Sequence, residues 1–302
     1  MRSPFLLAIL ALILIVLPAS AQLGGLPGSI KGKLDQAEAD RDQQIRDAAG
    51  DTPKPAADPD TGWIERPTPP GSDIPKVRLY VSHPDYSHSN GAPNLPALIV
   101  LQEWWGVNDD IKQRVEDFAA KGYFAVAVDL YDGKVTADPK EAPKLHAGLT
   151  DAGAMLRMKV GLDYLTERAG KKIVDPAKIG AVGWCMGGGC ALQLAIADPR
   201  IKATAIFYGP LVTDSAKLKT IKGPVLGIFG NDDKSITPDQ VNKFEAALKE
   251  ANVPNEIHRY DNAGHAFASQ AAAIMGAYKP DLAKDAWAKF YAWLDKNLPP
   301  RK

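Results

Sequence analysis

From Lys76 onward, short apolar runs of strand length alternate with longer amphipathic stretches. Val77-Arg78-Leu79-Tyr80-Val81 has the alternation of a strand. Residues 97–101 and 124–128 are continuous apolar runs, the mark of strands buried on both faces. Between them Ile111, Val115, Phe118 and Ala119 recur on one stripe and predict a helix. Residues 139–168 read as mostly helical, with Met155, Leu156, Val160, Tyr164 and Leu165 as expected core contacts. Further strands are expected at 179–182, 204–208, 225–229 and 256–260, and helices at 187–197, 241–249 and 281–298. Strands alternating with helices imply βαβ units and a mainly parallel sheet flanked by helices on both faces. In such sheets ligands bind beyond the carboxyl ends of the strands.

The chain before residue 76 has a different texture. Arg2 precedes an almost unbroken apolar run from Phe5 to Leu17, which Pro18 ends. Ala19-Ser20-Ala21 then offers a small-x-small cleavage site. Residues 1–21 are therefore expected to be an export signal, too short for a comfortable membrane span. Left uncleaved, the same run would anchor the domain at a membrane. Residues 22–75 are expected to be a polar, proline-rich and largely disordered spacer, and 76–302 the folded domain.

Charge removes one class of partner. Lys+Arg and Asp+Glu both number 36, and no basic run stands out, so nucleic acid is not expected. Only two cysteines occur, Cys185 and Cys190. Five positions apart on a helix they point away from each other, which disfavours a disulfide or a peroxide-sensing bridge between them. His83 and His88 lie in one loop without a companion ligand at metal spacing, so no metal site is expected.

The sharpest chemical signal is Gly183-Trp184-Cys185-Met186-Gly187, between an expected strand and an expected helix. This is the nucleophile elbow of an α/β-hydrolase fold with cysteine in place of serine. The glycines admit a strained turn, and the helix N-terminus favours a thiolate. In this fold the chain order is nucleophile, acid, histidine. His265, on a loop after the last strand, suits the general base. The acid should follow the strand at 225–229, where Asp232 and Asp233 both stand, and the residues alone do not choose between them. Gln102-Glu103-Trp104-Trp105-Gly106 follows an early strand, where an oxyanion donor is expected. The backbone N–H groups of Trp104 and Met186 are the two candidates. Glu103 lies among apolar residues, so burial should hold its carboxyl above the usual range, with the thiol as a reasonable partner.

With Gln-Glu-x-x-Gly-Val-Asn, Gly-x-Cys-x-Gly-Gly, Gly-x-x-Asp and Ala-Gly-His in this order, residues 76–298 resemble the dienelactone hydrolase family. The resemblance implies a cofactor-free hydrolase of small carboxylic esters or lactones. It places the nucleophile on Cys185, the acid on Asp233, the histidine on His265, and a carboxyl that controls the thiol's ionisation on Glu103. Two departures accompany it. Members that cleave dienelactone use arginines to bind the substrate carboxylate, and here Ala266-Phe267-Ala268-Ser269 and Tyr131-Asp132-Gly133-Lys134 supply none. The lysine lacks the planar fork that suits a carboxylate, so muconate-type lactones are not the expected substrates. The competing expectation is a non-catalytic exported module that binds a ligand in the same cleft.

Overall fold

Runs that are apolar at every position need cover on both faces, and the strands of this chain receive it. The computed structural model describes residues 60–86 and 93–300. In chain order the elements are β1 (Asp60–Pro67), β2 (Lys76–His83), β3 (Leu95–Leu101), α1 (Asp109–Ala120), β4 (Phe124–Val128), α2 (Ala142–Ala147) and α3 (Asp151–Gly170). They continue with β5 (Val174–Trp184), α4 (Met186–Ala197), β6 (Ala203–Phe207), α5 (Ser215–Leu218), β7 (Val225–Gly230), α6 (Pro238–Glu250), β8 (Asn255–Tyr260), a 3-10 turn (Gln270–Met275) and α7 (Pro280–Asn297). The described strands form one eight-stranded sheet in the order β1-β2-β4-β3-β5-β6-β7-β8. Its first two pairings, β1 with β2 and β2 with β4, are antiparallel; all others are parallel.

Alternation along each strand divides the core in two. Ala97, Ile99 and Leu101 of β3 join the cluster with Met158, Leu162 and Leu165 of α3. Leu98 and Val100 point the other way, into the cluster with Ile111, Val115 and Phe118 of α1 and Phe290 of α7. Helix starts follow local chemistry: Asn108 caps α1 by accepting from the Ile111 N–H, and Thr237 with Gln240 forms a reciprocal capping box on α6. Along α3 the buried stripe runs through Ala154, Met158, Leu162 and Leu165; Met155 is half-buried and packs against the same core as expected, and Leu156 is half-buried. Gly161 lets that helix approach the sheet, since a Cβ there would stand 2.6 Å from Val128.

The sheet starts earlier than the sequence predicts. β1 lies within the stretch assigned to the spacer, and it pairs along its whole length with β2, from Asp60 opposite His83 to Pro67 opposite Lys76. Its inner-facing positions include Gly62, Ile64 and Arg66, so one apolar side chain carries the pattern and flanking prolines mask it. The expected signal segment, and the spacer up to residue 59, lie outside the described residues. Among the described residues no helix is long and apolar enough to cross a membrane.

β3 feeds β4 on one side of the sheet, and β5 feeds β6, β7 and β8 on the other. The strand order therefore reverses between β3 and β5, and a crevice is expected beyond their carboxyl ends. Leu101 pairs with Gly183 there, so Glu103 and Cys185 each follow two residues after a matched pair.

Candidate active site

The nucleophile candidate sits at the most strained point of the turn after β5. Cys185 adopts φ 52° and ψ −122°, a conformation that L side chains rarely take. Its N–H donates to the Phe207 carbonyl at 2.9 Å, and its own carbonyl accepts from the Gly188 and Gly189 N–H groups at 3.0 and 3.3 Å. The glycines around it are sterically required. A Cβ on Gly183 would lie 2.1 Å from the Gly187 carbonyl oxygen, and one on Gly187 would lie 2.2 Å from the Leu101 oxygen. The turn thus packs strand end, helix start and the β3 loop backbone to backbone. Met186 opens α4, and its N–H belongs to a first turn that has no intrahelical acceptors. Both cysteines are free thiols.

Three side chains from distant loops converge. His265 Nε2 is 2.9 Å from Cys185 Sγ, and His265 Nδ1 is 2.8 Å from Asp233 Oδ2. Asp233 is buried, whereas Asp232 is exposed, which separates the two carboxylates the sequence leaves open. The second oxygen of Asp233 accepts from the Ser235 and Ile236 N–H groups at 2.7 and 3.0 Å. Burial alone would raise this carboxyl; the hydrogen bonds from His265, Ile236 and Ser235 outweigh it and hold it below the usual carboxylate range. Burial likewise disfavours a charged His265 ring, but the bonds to Asp233 and Cys185 and their charges prevail and push it up to about 10.

Glu103 is where the expectation and the structure part. It is buried as expected, and burial drives its carboxyl above the usual range, with Arg114 the chief opposing influence. Its hydrogen-bond partner, however, is the Ser269 hydroxyl, which donates to Oε2 at 2.6 Å, while the thiol faces His265. The sequence pattern points to neither Ser269 nor Arg114 as part of this assembly. Arg114 falls on the buried stripe of α1, where its guanidinium stacks 4.2 Å over the ring of Trp184 and 5.3 Å over that of Trp287 and pairs with Asp110 at 2.5 Å. A charged residue on an apolar stripe is the signal that could have revealed it.

Two tyrosines also escaped the motif reading. Tyr131, after β4, is buried and donates its hydroxyl to Met186 Sδ at 3.2 Å, beside the elbow. Asp129 fixes its loop by accepting from the Tyr131 and Gly133 N–H groups at 2.9 and 2.5 Å. Tyr208, after β6, is fully buried with its ring edge-on to His265 at 5.5 Å. Trp104 is half-exposed and packs edge-on against buried Trp105, so the loop carrying the expected oxyanion N–H is anchored beside the crevice. The cations bordering the β4 loop are matched by carboxylates: Arg157 pairs with Asp132 at 2.7 Å, and Arg78 lies 3.9 Å from Asp129. Lys134 is exposed. Among the described residues no cluster of His, Cys, Asp and Glu has the makings of a metal site.

Comparison with known proteins adds an independent line. Residues 84–298 match the dienelactone hydrolase family. A Salmonella typhimurium protein named "Putative carboxymethylenebutenolidase" is 32% identical over 235 residues, which span 74% of this chain and 83% of that protein. An Escherichia coli K12 protein of the same name is 30% identical over 211 residues, spanning 66% of this chain and 76% of the relative. A solved Klebsiella pneumoniae structure named "Putative Dienelactone Hydrolase" is 29% identical and superposes with a TM-score of 0.63 over 78% of this chain and 99% of its own. A dienelactone hydrolase-like promiscuous phosphotriesterase from metagenomic libraries has a TM-score of 0.67 at 22% identity, covering 78% of this chain and 98% of that one, and shares the fold.

Proposed function

This chain belongs to the dienelactone hydrolase family and is a hydrolase of the ester and lactone class, and from that premise we propose that it cleaves small, uncharged carboxylic esters or lactones through an acyl-enzyme on Cys185. The observation that carries the proposal is the unbroken line of contacts from Cys185 Sγ through His265 to Asp233, at 2.9 and 2.8 Å. A protonated imidazole beside a sulfur at a helix N-terminus favours the thiolate, the nucleophilic form. The sulfur attacks the substrate carbonyl carbon, and the carbonyl oxygen becomes an oxyanion. The backbone N–H groups of Met186 and Trp104 receive that oxyanion, each contributing on the order of 10²- to 10³-fold in rate. Collapse breaks the ester C–O bond, and His265 gives its proton to the leaving oxygen. His265 then takes a proton from water, whose oxygen attacks the thioester; collapse releases the acid and restores the thiol pair. Asp233 holds the ring in the required tautomer and stabilises the imidazolium throughout.

The uncharged-substrate part rests on the surroundings. Arg78 and Arg157 face carboxylates of their own, and the position four residues beyond His265 is a buried serine bonded to Glu103. A substrate carboxylate would lack a fork-shaped partner and would enter near an acidic residue. Nitrophenyl esters of short neutral acids are expected to be turned over. A matched ester carrying a free carboxylate on its acyl chain should show kcat/KM lower by roughly 10- to 100-fold, the worth of one charge-assisted hydrogen bond. Steady-state rates on the pair decide the point: equal or faster turnover of the anionic ester refutes the substrate class, and no turnover of any ester or lactone refutes the proposal. Export through residues 1–21 is proposed on the apolar run and Ala-x-Ala site alone.

A further inference from the structure

We infer that Ile274 and Met275, at the tip of the segment that carries His265, are specificity-determining residues that hold an unbranched apolar chain attached to the substrate carbonyl. The inference deepens the ester-hydrolase reading and rests on it. Among the described residues four large apolar side chains are exposed: Trp63, Val135, Ile274 and Met275. Trp63 lies within β1, and the Arg78 guanidinium stacks over its ring at 4.3 Å. The other three stand on loops that leave the carboxyl ends of strands, Val135 after β4 and the other two after β8. Ile274 is 67% exposed and Met275 42%, so this tip leaves a large apolar area in water at the end of the sheet where Cys185 sits.

Hydrogen bonds carry the tip to the crevice. His265 meets Cys185 on the β5 loop at 2.9 Å, and Ser269 meets Glu103 on the β3 loop at 2.6 Å. Residues 265–269 therefore run across the carboxyl ends of the sheet to the point where the strand order reverses. The segment beyond them leaves and returns at one place, because the Lys279 N–H donates to the Phe267 carbonyl at 2.9 Å. The 3-10 turn Gln270–Met275 rises about 2 Å per residue, which keeps Ile274 within roughly 10 Å of Ser269. The tip is also held in place. Ala272 is buried in the cluster with Tyr208 and Phe267, and Ala277 and Tyr278 pack on that cluster. The Gly276 N–H bonds back to Ala273 at 2.9 Å and the Ala277 N–H to Ala272 at 3.3 Å, with Gly276 at φ 67° reversing the chain.

The occupant follows from the surroundings. On the β3 side of the crevice the β4 loop presents Val135, which is 50% exposed. A Cβ on Gly106 would stand 3.2 Å from the Val135 side chain, and the Thr136 N–H donates to the Trp105 carbonyl at 3.0 Å. Val135 is thus fixed to the loop that begins with Glu103 and Trp104. Exposed apolar side chains therefore stand on both loops that border the crevice, the one fixed to the β3 loop and the one that carries His265. A hydrocarbon chain bound beside the reacting carbonyl covers such side chains, and each methylene taken out of water favours binding. A charged chain gains nothing from them and loses its hydration.

The test compares kcat/KM of wild type with that of the double variant Ile274→Ser, Met275→Ser on two ester series. Nitrophenyl acetate against nitrophenyl hexanoate varies the acyl side, and ethyl acetate against hexyl acetate varies the alcohol side. Wild type should favour the longer member of at least one series by about tenfold, and the double variant should lose about fivefold of that preference while its rate on the short member holds. The double variant Ile274→Leu, Met275→Leu, which keeps the apolar surface, should retain the preference. Both side chains are exposed, so the thermal midpoint should not move. Preferences that coincide for wild type and the serine variant in both series overturn the inference, as does an equal loss on short and long members. Loss of self-association in the serine variant with unmoved preferences assigns the tip to a second copy and overturns it too. Protection of Cys185 from iodoacetamide by 2-butanone or 2-octanone, read by peptide mass spectrometry on the full chain, measures the same preference without turnover. In wild type 2-octanone should protect at a concentration about tenfold lower than 2-butanone, and the serine variant should narrow that gap; an unchanged gap overturns the inference. Cys185-dependent turnover with a preference indifferent to Ile274 and Met275 fails the inference and leaves the hydrolase reading standing. Absence of all ester turnover fails that reading, and the ketone gap then decides the inference.

Discussion

Cys185→Ala is expected to lower kcat for an activated neutral ester by at least about 10⁴-fold, leaving only what the oxyanion donors and binding supply. The substitution removes the atom proposed to attack and also the partner that His265 Nε2 meets at 2.9 Å. It should not unfold the chain, because the Cys185 side chain is only half-buried and its turn is held by backbone bonds to Phe207, Gly188 and Gly189. Initial rates on a nitrophenyl ester, with the thermal midpoint of the same preparation as control, measure the effect. A variant that keeps a tenth of wild-type activity with an unchanged midpoint shows that the chemistry lies elsewhere.

Gly183→Ala should produce the largest loss of stability among small substitutions near the site. The added Cβ would meet the Gly187 carbonyl oxygen at 2.1 Å, its carbon at 2.2 Å and the Gly188 nitrogen at 2.8 Å. These are backbone atoms, so relief requires β5 and α4 to separate, and both are packed between neighbours. An overpacked site of this kind costs about 3 kcal/mol or more, which lowers Tm by roughly 6–12 °C for a domain of this size. Activity should fall with it, because the same shift moves Cys185 and the Met186 N–H. Gly170→Ala is the matched control: a Cβ there meets nothing within 4 Å, and Tm should hold or rise slightly. Equal midpoints for Gly183→Ala and wild type would show that the elbow yields more easily than its packing indicates.

The contrast between elements shows what a sequence discloses. β4 matches its expected bounds of 124–128 because all five positions are buried, so the requirement for apolar side chains falls on every residue. β1 escapes notice because it is an edge strand with no fully buried position among residues 61–67, and Trp63 remains 36% exposed. The elbow is legible because strand, glycines and helix are contiguous, so local sterics write the motif. Which of Asp232 and Asp233 meets His265 depends on the carboxylate that the turn directs inward, here Asp233, and both residues suit a turn equally well in the sequence. Ser269 and Glu103 lie 166 positions apart, and nothing local in either segment anticipates their bond. Arg114 shows only as a charge on the apolar stripe of α1; the rings of Trp184 and Trp287 that make a buried guanidinium acceptable there come from distant segments.

The covalent step is the part of the account most open to a decisive check. Intact-protein mass spectrometry, after rapid mixing of the enzyme with an excess of nitrophenyl butyrate and acid quenching, reads it directly. A mass increase of one butyryl group, located by peptide fragmentation on Cys185 and absent from Cys185→Ala, is the predicted result. Steady turnover of the ester with no acyl group trapped on Cys185, or with the acyl group on another residue, contradicts it.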